Sequence, residues 1–171
     1  MTGDNVGNGP RTLLLMGPSG SGKTTIARLL ATSLECEFID ADDYHSAQNI
    51  KKMGTGLPLT DEDRVPWLRR LNELLHAKER TGDLVLACSA LKHAYQDTLS
   101  AGPFTVKIIF LSVPRPILEQ RLRTRSKHFA GTSLLTSQLE TLEPPTGQIT
   151  IDATGSPLQV RDHLLQILTR Q

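Results

Sequence analysis

The sequence has little of what holds together a small secreted scaffold. Its 171 residues include two cysteines, Cys36 and Cys88, too few and too far apart for a disulfide framework or a thiolate metal site. Both lie in apolar runs, where a thiol packs as a small hydrophobe. A charge excess is missing too: 19 Lys and Arg stand against 18 Asp and Glu, for a formal net charge of +1. That balance excludes a global basic field for nonspecific nucleic-acid binding and a global trap for one sign of substrate, so no nucleic-acid partner is expected. No apolar run approaches the ~20 residues that span a bilayer, and residues 1–10 lack the apolar centre of a signal peptide. The expectation is a soluble, cytoplasmic protein with no membrane partner. The length suits one domain, placed at 11–170 behind a flexible tail at 1–10.

The informative stretch is Gly17-Pro18-Ser19-Gly20-Ser21-Gly22-Lys23-Thr24. It satisfies G-x-x-x-x-G-K-[ST] in the required setting, after the apolar strand Thr12 to Met16 and before a helix over Lys23 to Ser33 with Ile26, Leu29, Leu30 and Leu34 inward. Successive loop N–H groups and the first helical turn can surround phosphate oxygens with donors, while the helix end adds partial positive charge. Gly17, Ser19, Gly20, Ser21, Gly22, Lys23, Thr24 and Thr25 are the candidate nucleotide-binding residues. Lys23 supplies a mobile cation for the β- and γ-phosphates, and Thr24 a hydroxyl for Mg²⁺. A tight structural turn is the competing reading, and the flanking strand and helix weigh against it.

Cys36 to Asp40 reads as a short strand that delivers Asp40 and Asp42, with Asp43 and His45 close behind. In an open α/β sheet, ligands collect beyond the carboxyl ends of strands, so these acids have a functional address. For Asp40 and Asp42 the alternatives are helix capping or loop hydrogen bonding. Residues 46–82 are too long for a simple crossover and alternate too poorly for strands. They read as a short helix around Ala47 to Met53, a Gly-rich loop, and a long helix to Ala77 that starts at Asp61 or Arg64. Thr60 and Asp61 are both N-cap candidates. Pro66, tolerated in a first turn, favours a start near Arg64 or Val65. Trp67, Leu68, Leu71, Leu74 and Leu75 form its buried stripe, so Trp67 is core rather than an adenine platform. Residues 45–80 are expected to be an acceptor-binding excursion.

The apolar strand Leu84 to Cys88 ends in Ser89-Ala90-Leu91-Lys92 and not in an aspartate. Many P-loop ATPases place the metal-organising acid there, and here the nearest acids follow the Cys36 to Asp40 strand. Phosphoryl transfer to a small acceptor therefore fits better than NTP hydrolysis coupled to motion. A helix over His93 to Leu99, a strand over Thr105 to Leu111 and a helix over Pro114 to Arg125 follow. Arg121 and Arg125, four apart, share a face with basic company from Arg115, Arg123, Lys127 and His128. That patch is either a solvated basic face or a lid, about 121–140, whose arginines meet nucleotide phosphates. A helix over Leu134 to Leu142, a strand over Gln148 to Asp152 and a helix over Pro157 to Leu168 complete an α/β chain: a mostly parallel five-stranded sheet in three layers, helices on both faces.

Together, Gly17 to Thr24, Asp40-Ala41-Asp42-Asp43-Tyr44-His45, Asn49 to Gly54, Gly56 to Leu68 and Cys88-Ser89-Ala90-Leu91-Lys92 closely resemble gluconokinase of the small P-loop kinase type. His128-Phe129, Leu134-Leu135 and Ser137 to Pro144 continue the resemblance, which covers about 12–168. The run Asp63-Arg64-Val65-Pro66-Trp67 with Cys-Ser-Ala-Leu-Lys is more specific than the P-loop alone. The resemblance implies a shikimate kinase-like fold with strand order 2-3-1-4-5, transfer of phosphate from ATP to the 6-hydroxyl of D-gluconate with Mg²⁺, and a homodimer. It places acceptor contacts at Asp42, His45, Lys52, Arg64 and Lys92, Arg64 being suited to a bidentate carboxylate pair. Lys23, Asp42, Arg121 and Arg125 become the catalytic set, with Asp42 orienting or deprotonating the acceptor hydroxyl. Thr24 and Asp40 become the Mg²⁺ residues, the two aspartates being interchangeable at this stage. His45 is equally well read as a structural histidine. Relatives usually carry Gly at 41, Pro at 46, Arg at 96 and Gly at 127, where this chain has Ala41, Ser46, Gln96 and Lys127. Other acceptors, such as shikimate or a nucleoside monophosphate, and a nucleotide-responsive interaction protein of the same fold, are the alternatives.

Overall fold

Leu13, Leu14, Leu15 and Met16 are all fully buried, because the strand they form has neighbours on both edges and helices on both faces. In the computed structural model, which describes residues 11–78, 82–125 and 130–170 without the side chains of 125 and 130–133, this strand is β1 (Arg11–Met16). It is followed by α1 (Lys23–Ser33), β2 (Glu37–Asp40), a 3-10 helix (Ala41–Tyr44), α2 (Ala47–Gly54) and α3 (Asp61–Lys78). Then come β3 (Leu84–Ala87), α4 (His93–Ser100), β4 (Thr105–Ser112), α5 (Arg115–Arg125), α6 (Ala130–Thr141), β5 (Ile149–Asp152) and α7 (Pro157–Leu168). The expected tail at 1–10, and Lys127 and His128, lie outside the described residues.

The sheet runs β2-β3-β1-β4-β5, every pair parallel, the order the resemblance implied. Alternation along the strands divides the core in two. Leu13, Leu15, Val85, Ala87, Ile109, Leu111 and Ile151 face one layer with Ile26 and Leu30 of α1 and Val160 and Leu164 of α7. Leu14, Met16, Leu84, Leu86, Ile108 and Phe110 face the other, against Trp67, Leu68, Leu71 and Leu75 of α3 and Tyr95 and Leu99 of α4. All five strands therefore end on one edge of the sheet. The residues that follow them there build the site.

α3 starts at Asp61, so Pro66 lies in its second turn and not its first. The early start has a local cause. Thr60 Oγ1 accepts from Asp63 N–H at 3.2 Å while Asp63 Oδ2 accepts from Thr60 N–H at 2.8 Å, a reciprocal cap that fixes the first turn ahead of the proline. Thr60 is the cap, and Asp61 is left free for other partners. Ser46, in the place where the resemblance expects proline, caps α2 by accepting from Asn49 N–H at 3.1 Å. α6 begins four residues before Leu134, the start expected from the sequence. The capping box of Ser156 and Gln159, with Pro157 in the first turn, starts α7 where the sequence predicts it.

Candidate functional site

Beyond the end of β1, Gly20 and Gly22 adopt φ of +85° and +93°, and a Cβ on Gly20 would lie 3.2 Å from the Leu118 carbonyl of α5. Only glycine takes that backbone turn with α5 so close. The result is a cleft of about 230 Å³ lined by Ser19, Gly20, Gly22, Lys23, Thr24, Thr25, Asp40, Asp42, Ala87, Cys88, Ser89 and Leu122. The phosphate loop and the two acids after β2 thus meet in one place. Gly17 and Ser21 do not line it. Gly17 N–H donates to the Ser89 carbonyl at 3.3 Å, and Ser21 is fully buried with a hydroxyl that has no partner.

Within the cleft Lys23 Nζ donates to the Pro18 carbonyl at 3.0 Å. Thr24 Oγ1 donates to Asp40 Oδ2 at 2.9 Å, and Asp40 Oδ1 accepts from Asp42 N–H at 3.1 Å. Asp40 thereby caps the 3-10 helix and accepts from the P-loop threonine at once. The Asp42 side chain is 80% exposed toward the cleft. Desolvation by the cleft walls and the neighbouring Asp40 carboxylate nevertheless raise its pKa, opposed by His45 and Lys23. A carboxylate raised in this way is a better proton acceptor than an ordinary aspartate. Cys88, on the cleft wall, is buried, its thiol pushed up to about 12 by desolvation, which makes it a packing residue and not a nucleophile.

Thr24 and Asp40 offer oxygen donors only, the ligand type that suits Mg²⁺, which keeps several waters and takes the rest of its shell from substrate phosphates. Among the described residues no cluster of three or more His, Cys, Asp or Glu could hold a metal by itself. The hydroxyl and carboxylate present fit a nucleotide-borne Mg²⁺ and not a caged structural ion.

His45 is 94% buried by side chain, stacked on Trp67 with ring centroids 4.2 Å apart, its Nε2 3.7 Å from Asp42 Oδ1. Burial lowers its pKa, opposed by the Asp42 carboxylate, with Arg64 adding a smaller push in the same direction as burial. Its buried Nδ1 has no partner. Trp67 is core as expected, and its Nε1–H donates to the Ala41 carbonyl at 2.8 Å. α3 therefore supports, through Trp67, the short helix that presents Asp42.

The remaining acceptor candidates form a second group outside the cleft lining. Lys52 pairs with Asp63 at 2.5 Å. Lys92 donates to both carboxylate oxygens of Asp61 at 2.8 and 2.6 Å, and Tyr95 OH donates to the same carboxylate. These bonds, Lys92 first, hold the Asp61 pKa below the usual range and raise that of Lys92. Arg64 donates to the Leu59 and Thr60 carbonyls and sits over the Tyr95 ring. Asp61 and Tyr95 are the site residues that sequence reading missed in this role, since their pairing joins positions 34 apart. Gln96, in the place where the resemblance expects arginine, is buried, and its amide donates to the Ala90 and Glu143 carbonyls. It braces the loop after β3 from beneath.

Arg121 is held by three carbonyl oxygens, those of Gly20 at 3.3 Å, Ala153 at 2.9 Å and Thr154 at 3.1 Å. It ties α5 to the phosphate loop. The Arg125 side chain lies outside the described residues.

A family model described as an AAA domain matches residues 13–145. The thermosensitive gluconokinase of Escherichia coli K12 is 46% identical over 137 residues, covering 78% of this chain and 72% of that protein. A gluconokinase from Sinorhizobium meliloti 1021 superposes with a TM-score of 0.85 at 36% identity, covering 96% of this chain and 94% of the other. An unliganded sugar kinase from Janibacter sp. HTCC2649 gives a TM-score of 0.85 at 42% identity, with coverage of 94% and 95%.

Proposed function

Because this chain belongs to the gluconokinase family of small P-loop kinases, we propose that it uses ATP to phosphorylate D-gluconate, giving 6-phospho-D-gluconate and ADP. The observation that carries the reading is the meeting of Lys23, Thr24, Asp40 and Asp42 in one cleft. Gly20 and Gly22 to Thr25, which line the cleft, bind the nucleotide phosphates through backbone N–H groups and the Lys23 ammonium, which exchanges the Pro18 carbonyl for phosphate oxygen. Asp42 accepts the proton of the 6-hydroxyl as the bond from that oxygen to the γ-phosphorus forms and the bond to the ADP oxygen breaks. Thr24 and Asp40 would hold Mg²⁺ together with the nucleotide, and the ion would supply charge neutralisation on the phosphates. His45, packed on Trp67 and near Asp42, sets the position of that carboxylate.

Acceptor binding falls to the excursion over 45–80 and to the loop after β3. Arg64 and Lys92 meet the gluconate carboxylate, and Lys52 the hydroxyl run, each leaving part of its present pairing. Arg121, which ties α5 to the phosphate loop, and Arg125 add positive charge on the donor side. The protein acts as a homodimer in the cytoplasm, and among the described residues no helix is long and apolar enough to cross a membrane. Phosphorus NMR of the product tests the regiochemistry: a single phosphomonoester on carbon 6 supports the assignment, and a phosphate on any other carbon overturns it.

A further inference from the structure

The peptide group between Pro18 and Ser19 is held at both ends. Its carbonyl accepts from Lys23 Nζ at 3.0 Å and from Ser21 N–H at 3.2 Å. Its N–H donates to Gln138 Oε1 at 2.7 Å, across 119 residues of sequence. Gln138 lies on α6, and that helix is fixed elsewhere. Leu135 is buried in the core beneath it, and Arg115 of α5 donates to Thr136 Oγ1 at 3.0 Å. Just past its end, Glu143 N–H donates to the Leu91 carbonyl at 2.7 Å and Glu143 Oε2 accepts from His93 N–H at 2.6 Å. The amide of Gln138 is thus presented by a helix anchored to the core and to the loop that carries Lys92.

We infer that Gln138 is a positioning residue for ATP: by fixing the Pro18–Ser19 peptide it sets where the carbonyl parks Lys23 and so prepares that lysine to meet the phosphates. A peptide plane has one orientation, so whatever aims its N–H also aims its carbonyl. Losing the Gln138 acceptor leaves the plane held only through its carbonyl, by Ser21 N–H and Lys23 itself, so the resting place of Lys23 is less sharply defined. Preorganisation of this kind lowers the ordering cost of binding. The inference rests on the kinase reading for its purpose but not for its test, because nucleotide binding can be measured without acceptor.

Gln138→Met keeps the side-chain length and removes the acceptor. Titration with a nonhydrolysable ATP analogue and Mg²⁺ is expected to show affinity about five- to tenfold below the native chain, the scale of one neutral hydrogen bond. The KM for gluconate should hold, and the melting temperature should fall by no more than about 2–4 °C, the cost of one hydrogen bond. In a Lys23→Met background the same change should add nothing, because the two residues act through one peptide. Gln138→Ala, a good helix former at the same position, serves as the second variant if the first melts early. Native affinity in Gln138→Met, or an equal loss in the Lys23→Met background, overturns the inference. A native chain with no gluconate-dependent turnover would count against the substrate assignment alone.

Discussion

Trp67→Phe should damage both stability and turnover, because one indole N–H joins α3 to the short helix that carries Asp42. The bond to the Ala41 carbonyl is buried, and Ala41 itself is fully buried. Phenylalanine fills most of the site but cannot donate, so the carbonyl is left without a partner. An unsatisfied buried acceptor costs about 1–3 kcal/mol, and the smaller ring adds a little lost packing, which puts the change near 2–3 kcal/mol. For a chain of this size each kcal/mol moves the melting temperature by roughly 2–4 °C, so a fall of about 4–12 °C is expected. The His45 stack, with centroids 4.2 Å apart at 17°, loses overlap in the same variant. Asp42 then loses support from two sides, and kcat should fall more than the KM for ATP rises. Calorimetry and steady-state kinetics on the purified variant check both. A melting temperature within about 1 °C of native, with unchanged kcat, would refute the linkage.

Asp42→Asn should lower turnover by about 10²- to 10⁴-fold while nucleotide binding persists, read by initial rates beside a nucleotide titration. The pH profile carries a second signature. Because the Asp42 pKa is raised, the acid limb of kcat/KM should lie above the usual carboxylate range, activity falling as pH drops through it. For stability the sign is opposite: a carboxylate raised in the fold binds its proton more tightly folded than unfolded, so stability falls as pH rises from the usual carboxylate pKa to the folded one. Asp42→Asn should therefore melt higher than native at neutral pH and lose that advantage in acid, as thermal melts across pH will show. Removing Mg²⁺ with EDTA should abolish turnover, and Thr24→Ala should raise the Mg²⁺ concentration needed for half-maximal rate; an unchanged requirement in a magnesium titration would exclude Thr24 as a ligand. Thr60→Ala removes half of the cap on α3 and should cost about 1 kcal/mol, a fall of roughly 2–4 °C by calorimetry.

The P-loop was legible because its chemistry is local: eight consecutive residues carry the turn, the lysine and the hydroxyl, with β1 and α1 readable on either side. Asp40 and Asp42 were legible as an address at the end of a strand, though sequence could not tell capping from ligation, and the structure has Asp40 bonded to both Asp42 N–H and Thr24. Strand order came from the resemblance, since periodicity says which face of a strand is buried and nothing about its neighbours. Of the two starts open for α3, Pro66 favoured the later, near Arg64 or Val65, and the observed start is Asp61, because the reciprocal Thr60 and Asp63 cap outweighs one missing backbone bond. Pairings across long separations were illegible. Asp61 looked like a cap and instead holds Lys92 and Tyr95. Gln96 stood out only as a departure from the arginine the resemblance expects, and it is buried under the loop after β3.

The most direct test of the central claim is ADP release by the native chain and by Lys23→Ala, measured with a panel of acceptors: D-gluconate, other sugar acids, shikimate and nucleoside monophosphates. The native chain should turn over with gluconate far faster than with any other acceptor. Lys23→Ala should lose at least about 10²- to 10³-fold of that rate while its circular dichroism and melting curve stay native. Retained turnover in Lys23→Ala would contradict the role given to the phosphate loop, and a faster rate with shikimate or a nucleotide would contradict the assignment of gluconate.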